Sequence, residues 1–258
     1  MNDKAWVFHT PKAKEGFYQV VSPENSDLKH LVYGRLWLDQ GHEHSLPASG
    51  NERGLVCLTK EVTVAVRGEQ FVLQRNDTLY LPWHTECTVR NSGADPADVV
   101  VFESDAFEDK KPQLIKFEDV GTDPVRYQVV GSGTYAREVW TMIDQQKASA
   151  CRLIVGLTCG NQGAWTSWPP HDHTAQLEEL YLYHEMPAPG FVIQLGLDSF
   201  NEITLCEVMK EGDVAILPQG GHPTVAAPNT KSCYLWAMAA HERQYRRTDL
   251  AVTMPDFV

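Results

Sequence analysis

The sequence predicts an all-β protein made of two similar β units. Three observations support this prediction: strand-length apolar segments recur along the chain, turn-forming residues separate them, and the second half repeats the order of the first. Helix signals are weak, because the apolar runs are too short for buried helices. A chain of 258 residues, 43% of them hydrophobic, can bury the core that such a fold requires.

The first half supplies the segments HLVYGRLWL, GLVCLTKEVTVAV, QFVLQ, TLYLP and DVVVFES. Stretches such as GHEHSLPASGN and NSGADPA lie between them, and their glycine, proline and asparagine residues are typical of turns. A connector near EDKKPQLIKFEDVGTDPVRY follows. We therefore place the first unit at residues 1–115.

The second half supplies REVWTMI, CRLIVGLTC, LEELYLYHEM, GFVIQLGL, EITLCEVM, DVAILP and KSCYLWAMAA. Its segment EITLCEVMKEGDVAILPQGGHPTVAA contains a hairpin, a turn, an apolar strand and a proline. VTVAVRGEQFVLQRNDTLYLPWHTECTV, in the first half, contains them in the same order. We place the second unit at residues 116–258.

Composition excludes some classes of partner. The formal net charge of −12 argues against nucleic acid and anionic membranes, which bind basic patches. No signal peptide opens the chain and no stretch approaches the roughly 18 apolar residues of a spanning helix, so we expect a cytoplasmic protein. The six cysteines are widely spaced without a CxxC pair, and we expect reduced core residues.

The segment WPPHDHTAQLEELYLY carries the candidate site. Residues i and i+2 of a strand share a face, so His171 and His173 can point at one metal ion. Glu179 can reach the same interior from the next strand, whereas Glu178 faces away. His222, in GDVAILPQGGHP, follows a bend and is the fourth candidate. Three imidazoles and one carboxylate suit Zn²⁺, our first choice, and also Mn²⁺, Fe²⁺ or Ni²⁺.

These motifs resemble a known family. The HxH pair, the following glutamate and PxGxHP are similar to the metal-binding motif of the cupin barrels. WTSWPPHDH, LEELYLYHEMPAPGF, GDVAILPQGGHPTVAAP and YLWAMAA resemble the 5-deoxy-glucuronate isomerases of inositol catabolism and the related 5-keto-4-deoxyuronate isomerases of pectin breakdown. The resemblance implies a bicupin, with an N-terminal barrel lacking metal and a C-terminal barrel holding one divalent ion.

The activity that the resemblance implies is aldose–ketose isomerisation of 5-deoxy-glucuronate to 2-deoxy-5-keto-gluconate. Such a reaction needs a polarised oxygen and a proton carrier, and Tyr181 and Tyr183, on the face of Glu179, are the catalytic candidates. Arg137 matches a family arginine and is expected to bind a substrate carboxylate. Gln194 also matches a family position and is expected to bind a sugar hydroxyl.

The sequence leaves other substrates and functions open. Glu185 stands where the family carries arginine, and Trp236 where a smaller polar residue is usual, which leaves another uronate or a modified hexose as substrate. Cupins with three histidines and a glutamate also include dioxygenases. A non-enzymatic sugar-binding cupin is a third class. Barrel edges commonly pair between subunits, so we expect a homo-oligomer as one possible state.

The first half contains a partial echo of the metal motif. His42 and His44 again stand at i and i+2, and Glu52 follows. His84 comes too soon after its proline, so that Glu86 holds the place of the last ligand. The spacing therefore argues against a second metal site.

Overall fold

The computed structural model describes residues 6–11, 14–198 and 202–257. These residues confirm the all-β prediction, since they form five β-sheets and one short α-helix, α1 (Phe117–Thr122). Short 3₁₀ turns lie at Gly133–Tyr135, Arg243–Tyr245, Thr248–Leu250 and Pro255–Phe257. Within this part of the chain, no helix is long and apolar enough to cross a membrane.

The first half contributes two antiparallel sheets. The first inner sheet contains, in spatial order, β11 (Gln113–Ile115), β8 (Thr78–Leu81), β5 (Asn51–Cys57), β10 (Ala97–Asp105), β3 (Val32–Leu38) and β2 (Gly16–Val21). The first outer sheet contains β4 (Glu43–Leu46), β9 (Cys87–Arg90), β6 (Glu61–Val66) and β7 (Glu69–Gln74).

The second half repeats this arrangement. The second inner sheet contains β1 (Val7–His9), β20 (Asp213–Leu217), β17 (Leu177–Tyr183), β22 (Lys231–Ala240), β14 (Leu153–Gln162), β13 (Arg137–Ile143) and β12 (Tyr127–Val130). The second outer sheet contains β15 (Trp165–Thr166), β21 (Thr224–Ala226), β18 (Val192–Leu197) and β19 (Ile203–Met209). A small fifth sheet pairs β16 (His171–Asp172) with β23 (Val252–Thr253). The division at residue 115 stays a prediction, and β1, which precedes it, pairs with β20 beyond it.

The four larger sheets pack as layers, with the two inner sheets face to face. On β10, Val99 and Val101 belong to the core between the inner and outer sheets of the first half. Val100 and Phe102 belong instead to the core between the two inner sheets. Successive side chains of a strand point to opposite faces, so each inner sheet serves two cores. A third core fills the space between the inner and outer sheets of the second half.

Two buried glutamates join the halves reciprocally, and we call them the carboxylate clamps. Glu52, on β5, accepts hydrogen bonds from the backbone N–H groups of residues 151–153 at 2.6–2.9 Å, and one from the Tyr80 hydroxyl at 2.8 Å. Glu178, on β17, accepts bonds from the N–H groups of residues 29–31 at 2.5–2.7 Å. Each carboxylate thus binds the backbone at the start of a strand of the other half. Glu52 binds the start of β14, and Glu178 binds the segment just before β3.

One expectation about the cysteines is wrong. Cys159 and Cys233 are joined by a disulfide between β14 and β22, where they stand directly opposite each other. They are separated by 74 residues along the chain, so only the strand register reveals the pair. Cys57, Cys87 and Cys151 are free and buried, as expected of core residues, and Cys206 is free and exposed.

Candidate metal centre

Two adjacent glutamates on β17 point in opposite directions. Leu180 and Leu182 belong to the core between the inner sheets, whereas Tyr181 belongs to the core inside the second half. By the same alternation Glu178 lies in the clamp between the halves, and Glu179 points into the interior of the second half. The alternation of β17 therefore separates a structural carboxylate from a candidate ligand.

Three histidines converge on Glu179. One ring nitrogen from each of His171, His173 and His222 lies within 4.8 Å of the others. The Glu179 Oε2 atom lies 3.1 Å from His173 Nε2 and 3.3 Å from His222 Nε2. His171 belongs to β16, His173 follows it, and His222 follows the turn after β20. The four side chains predicted as ligands are therefore brought together.

Hydrogen bonds orient two of these imidazoles. His171 Nδ1 donates to the Pro169 carbonyl at 2.9 Å, and His222 Nδ1 donates to the Gly220 carbonyl at 3.1 Å. In a neutral imidazole, donation from Nδ1 leaves a lone pair on Nε2. The buried Nε2 of His222 has no hydrogen-bond partner within the described ranges, and it faces a carboxylate oxygen.

This arrangement fits a divalent cation. Two lone pairs 3.3 Å apart, on His222 Nε2 and Glu179 Oε2, repel each other unless a positive charge lies between or beside them. Three imidazoles and one carboxylate are the donors that Zn²⁺, Mn²⁺, Fe²⁺ and Ni²⁺ accept. The orphaned nitrogen and the donor set thus agree with a metal at this place.

The electrostatics favour metal-binding protonation states for two of the groups. Burial, and then the charge of His222, lower the pKa of His171 to about 4, so its imidazole is neutral at pH 7. Burial opposes ionisation of Glu179, but the hydrogen bond from His173 and the adjacent His222 imidazole outweigh it and lower the pKa of this carboxyl to about 2. Burial also opposes protonation of His173, yet its hydrogen bond to Glu179 raises the His173 pKa. This shift favours a proton on His173, opposite the carboxylate charge of Glu179.

The turn that presents His222 depends on glycine. Gly220 has a φ of +68°, in the left-handed region, and a Cβ placed there would lie 1.8 Å from the Leu197 carbonyl oxygen. Any other residue would displace the turn. The PQGGHP segment therefore requires glycine at this position to aim the histidine.

A cavity of about 240 Å³ opens beside the ligands, between β13, β14, β17 and β22. His171, Glu179, Tyr181 and Arg137 line it. Arg137 donates from Nη1 to the carbonyls of Trp168 at 3.0 Å and Tyr135 at 3.3 Å, and it forms no ion pair with any described residue. An arginine without a carboxylate partner thus faces the cavity beside the candidate metal ligands.

Tyr183 and Gln194 lie elsewhere. Both are fully buried and outside the lining of this cavity, and the Tyr183 hydroxyl donates to the Gln194 side-chain oxygen. Gln194 Nε2 donates to the carbonyls of Leu195 at 2.7 Å and His222 at 3.1 Å. In place of the direct substrate roles expected from the sequence, this geometry favours a supporting role, in which the pair holds the backbone of a candidate ligand.

Three parts of the site were not predicted from the sequence. Ser167 and Tyr234 line the cavity, and the C-terminal strand β23 pairs with β16 so that Thr253 stands opposite His171. The φ of Ser167, +51°, has no signature in the sequence, and β23 is only two residues long. Tyr234 could have been predicted, because it is two residues from Trp236 on an apolar strand and therefore lies on the same face.

The histidines of the first half do not converge with Glu52. His42 bonds to Glu15 at the surface, and the His44 ring stacks on Phe17 at 6.2 Å. Glu52 faces the second half as a carboxylate clamp. Its neighbour Arg53 takes the inward position that Glu179 holds in the second half, and its guanidinium donates to the Thr85 and Pro47 carbonyls.

Comparison with known proteins gives a consistent result. A family model described as the KduI/IolB family matches residues 7–252. The chain is 25% identical over 256 residues to the 5-deoxy-glucuronate isomerase of Geobacillus kaustophilus. This alignment covers 92% of this chain and 89% of that protein. It is 28% identical over 244 residues to the 5-deoxy-glucuronate isomerase of Bacillus licheniformis, covering 88% of this chain and 87% of that protein.

Solved structures share the fold. An IolB-like protein from Salmonella typhimurium superposes with a TM-score of 0.85 at 25% identity, covering 98% of both chains. The oxalate decarboxylase of Bacillus subtilis, studied for its Mn(II) centres, superposes with a TM-score of 0.67 at 11% identity, covering 98% of this chain and 80% of that one. The second likeness concerns the fold alone.

Proposed function

This chain belongs to the KduI/IolB family, and from that premise we propose that it is an aldose–ketose isomerase acting on a sugar acid. The first candidate substrate is 5-deoxy-glucuronate, with 2-deoxy-5-keto-gluconate as the product. Relatives that cover most of the chain carry the name of this activity. A cavity lined by candidate metal ligands and by an arginine that forms no ion pair with any described residue supports it.

The proposed metal ligands are His171, His173, Glu179 and His222. When bound, a divalent ion would supply a Lewis acid that polarises the substrate carbonyl. The chain's own contribution is to keep the imidazoles oriented through the Pro169 and Gly220 carbonyls and to keep Glu179 ionised. We propose Zn²⁺ as the first candidate ion, with Mn²⁺, Fe²⁺ and Ni²⁺ as alternatives.

The single observation that carries the substrate class is Arg137. The protein has a net charge of −12, so an arginine that lines the cavity without an ion-pair partner among the described residues is conspicuous. A guanidinium matches a carboxylate through two parallel hydrogen bonds. The cavity therefore suits a small sugar that carries one carboxylate, held by Arg137 at one end and facing the candidate ligands at the other.

Tyr181 is the proposed proton donor to the substrate oxygen. Tyr181 lines the cavity, and burial raises the pKa of Tyr181 well above its usual value, so the hydroxyl keeps its proton at neutral pH. Isomerisation requires a proton to reach the carbonyl oxygen as that oxygen becomes a hydroxyl. A neutral hydroxyl beside the ligands is suited to that transfer.

A cytoplasmic location and a homo-oligomeric state also belong to the proposal. The acidic net charge is consistent with a small-molecule partner rather than nucleic acid or an anionic membrane.

The deciding experiment combines metal analysis of the purified protein with an anaerobic isomerisation assay on a panel of uronates and deoxyuronates. We expect one divalent ion per chain and turnover of 5-deoxy-glucuronate. Oxygen uptake measured in parallel separates an isomerase from a dioxygenase. Bound metal with oxygen uptake and no isomerisation would overturn the proposal, and so would a protein that binds these acids without turning any over.

Replacing Arg137 with glutamine is expected to raise KM for the sugar acid by about tenfold to a hundredfold, because a charged hydrogen bond is worth about 1.5–3 kcal/mol. kcat is expected to change less. Arg67→Gln, at an exposed arginine of the first half, is the matched control and should leave KM unchanged. Steady-state kinetics check both variants, and an unchanged KM in the Arg137 variant would remove this residue from the substrate site.

A further inference from the structure

Three hydroxyl groups form a connected cluster in the cavity wall. Ser167 Oγ lies 2.7 Å from the Tyr181 hydroxyl and 3.1 Å from the Tyr234 hydroxyl. All three residues line the cavity, yet each is no more than 4% exposed. The cluster is therefore a continuous chain of donors and acceptors, shielded from bulk solvent, beside the proposed substrate position.

The backbone at Ser167 is held in a costly conformation. Its φ is +51°, in the left-handed region, which a residue with a Cβ adopts only at an energetic cost. The next residue is anchored, since Arg137 donates to the Trp168 carbonyl at 3.0 Å. This conformation directs the serine hydroxyl between the two tyrosines, and the residue that binds the proposed substrate carboxylate also fixes the segment.

The two tyrosines are stacked on neighbouring strands. Tyr181 belongs to β17 and Tyr234 to β22, and their ring centroids lie 4.2 Å apart with an interplanar angle of 23°. Stacking holds both hydroxyls at the same end of the ring pair, where Ser167 bridges them. Three oxygens are thereby fixed in sequence without a charged group among them.

We propose that the hydroxyls of Tyr181, Ser167 and Tyr234 form a proton relay that connects two neighbouring oxygens of the bound sugar. This inference rests on the proposed isomerase function and adds Ser167 and Tyr234 to its machinery. Tyr181 and Tyr234 contact the two substrate oxygens, and Ser167 is the positioning residue that joins them.

The relay balances over the whole reaction. In the first step, the carbon beside the aldehyde loses a proton to a base and the aldehyde oxygen gains one from Tyr181 O–H. In the same step Ser167 O–H refills Tyr181, Tyr234 O–H refills Ser167, and the neighbouring O–H of the sugar refills Tyr234, which leaves an enediolate with its charge on that neighbouring oxygen. In the second step, the former aldehyde carbon regains the proton from the base as the neighbouring oxygen becomes the ketone. Every hydroxyl ends as it began, and no electrons leave the sugar.

The environment suits neutral hydroxyls. A hydroxyl both donates and accepts, so each member can pass a proton without carrying a full charge. Burial disfavours an isolated tyrosinate here, because a charge loses its hydration away from water. A relay of neutral groups avoids that cost.

The test uses the full-length, metal-loaded protein and two variants, Tyr234→Phe and Ser167→Gly. Phenylalanine keeps the stacked ring and removes one hydroxyl. Glycine also removes one hydroxyl, and it adopts a φ of +51° without strain, so that loss of folding does not obscure the result. Tyr33→Phe removes an equally buried hydroxyl outside the cavity, bonded to Thr10 at 2.9 Å, and is the matched control.

We expect kcat to fall by about a hundredfold in each relay variant, in line with the loss of a positioned proton carrier. KM and metal content should stay within about threefold of wild type, since neither residue is a proposed metal ligand or binds the substrate carboxylate. The rate in mixtures of H₂O and D₂O should curve with deuterium fraction in the wild type and become linear in the variants. Tyr33→Phe should keep the wild-type kcat and curvature.

The outcomes distinguish a failure of the relay from a failure of the proposed isomerase function. If the wild type turns over no sugar acid of the panel, the isomerase proposal and the relay both fail. If the wild type is active and both variants retain its kcat and curvature, the relay alone is overturned. If kcat falls together with metal content, the two residues act on the metal centre through structure, and the relay is likewise rejected.

Discussion

Replacing His222 with alanine is expected to remove the divalent ion and to lower kcat/KM by about a thousandfold or more, because a Lewis acid contributes several kcal/mol to such a transition state. His222 Nε2 is buried, oriented by the Gly220 carbonyl and directed at Glu179, so its removal takes away one of the four clustered donor groups. Most of the β fold should remain, since the histidine follows a turn rather than lying within a strand. Metal analysis, circular dichroism and the isomerisation assay check the three parts.

The two adjacent glutamates provide the control. Glu179→Gln should lose metal and activity, whereas Glu178→Gln should keep most of both, because its side chain faces the other half of the molecule. Removing the ion with a chelator should reproduce the Glu179→Gln result in the wild type, and adding a divalent ion should reverse it. Full metal occupancy in the His222 or Glu179 variant would contradict the proposed ligand set.

Part of the ligand cluster could be predicted from local spacing. The alternation of β17 places Glu179 opposite Glu178. His171 and His173 are two residues apart and their ring centroids lie 6.0 Å from each other, although β16 ends at Asp172. Alternation gives the face of a side chain but not its depth. Tyr183 shares a face with Glu179, yet four residues at about 3.3 Å each carry it roughly 13 Å along the strand. It therefore reaches Gln194 instead of the cavity.

Other features could not be predicted because they depend on contacts between distant segments. The disulfide of Cys159 and Cys233 depends on the register of β14 with β22, and a register is not visible in a single strand. Glu52 follows His42 and His44 along the chain, but its position on β5 directs it to the other half. There it accepts three hydrogen bonds from backbone N–H groups, and it accepts a fourth from the Tyr80 hydroxyl of its own half.

Removing either carboxylate clamp is expected to lower the free energy of unfolding by about 3–9 kcal/mol, because each deletion leaves three backbone N–H groups without their acceptor at about 1–3 kcal/mol each. Glu52→Ala should be the more severe, since the Tyr80 hydroxyl loses its acceptor as well. Glu118→Ala, at an exposed position of α1, is the matched control and should change stability by less than about 0.5 kcal/mol. Urea unfolding of the three variants measures the difference.

Variants of two adjacent residues of β17 should also affect different properties, protein stability at Glu178 and metal binding at Glu179. Glu178→Ala should unfold at lower urea concentration yet keep its metal below that midpoint, whereas Glu179→Gln should lose metal while the clamp stays intact. The two effects come from opposite faces of one strand, so they should add in the double variant. A stability loss under about 1 kcal/mol in Glu178→Ala would mean that water satisfies the freed N–H groups, and that the apolar core between the inner sheets holds the halves together without the clamps.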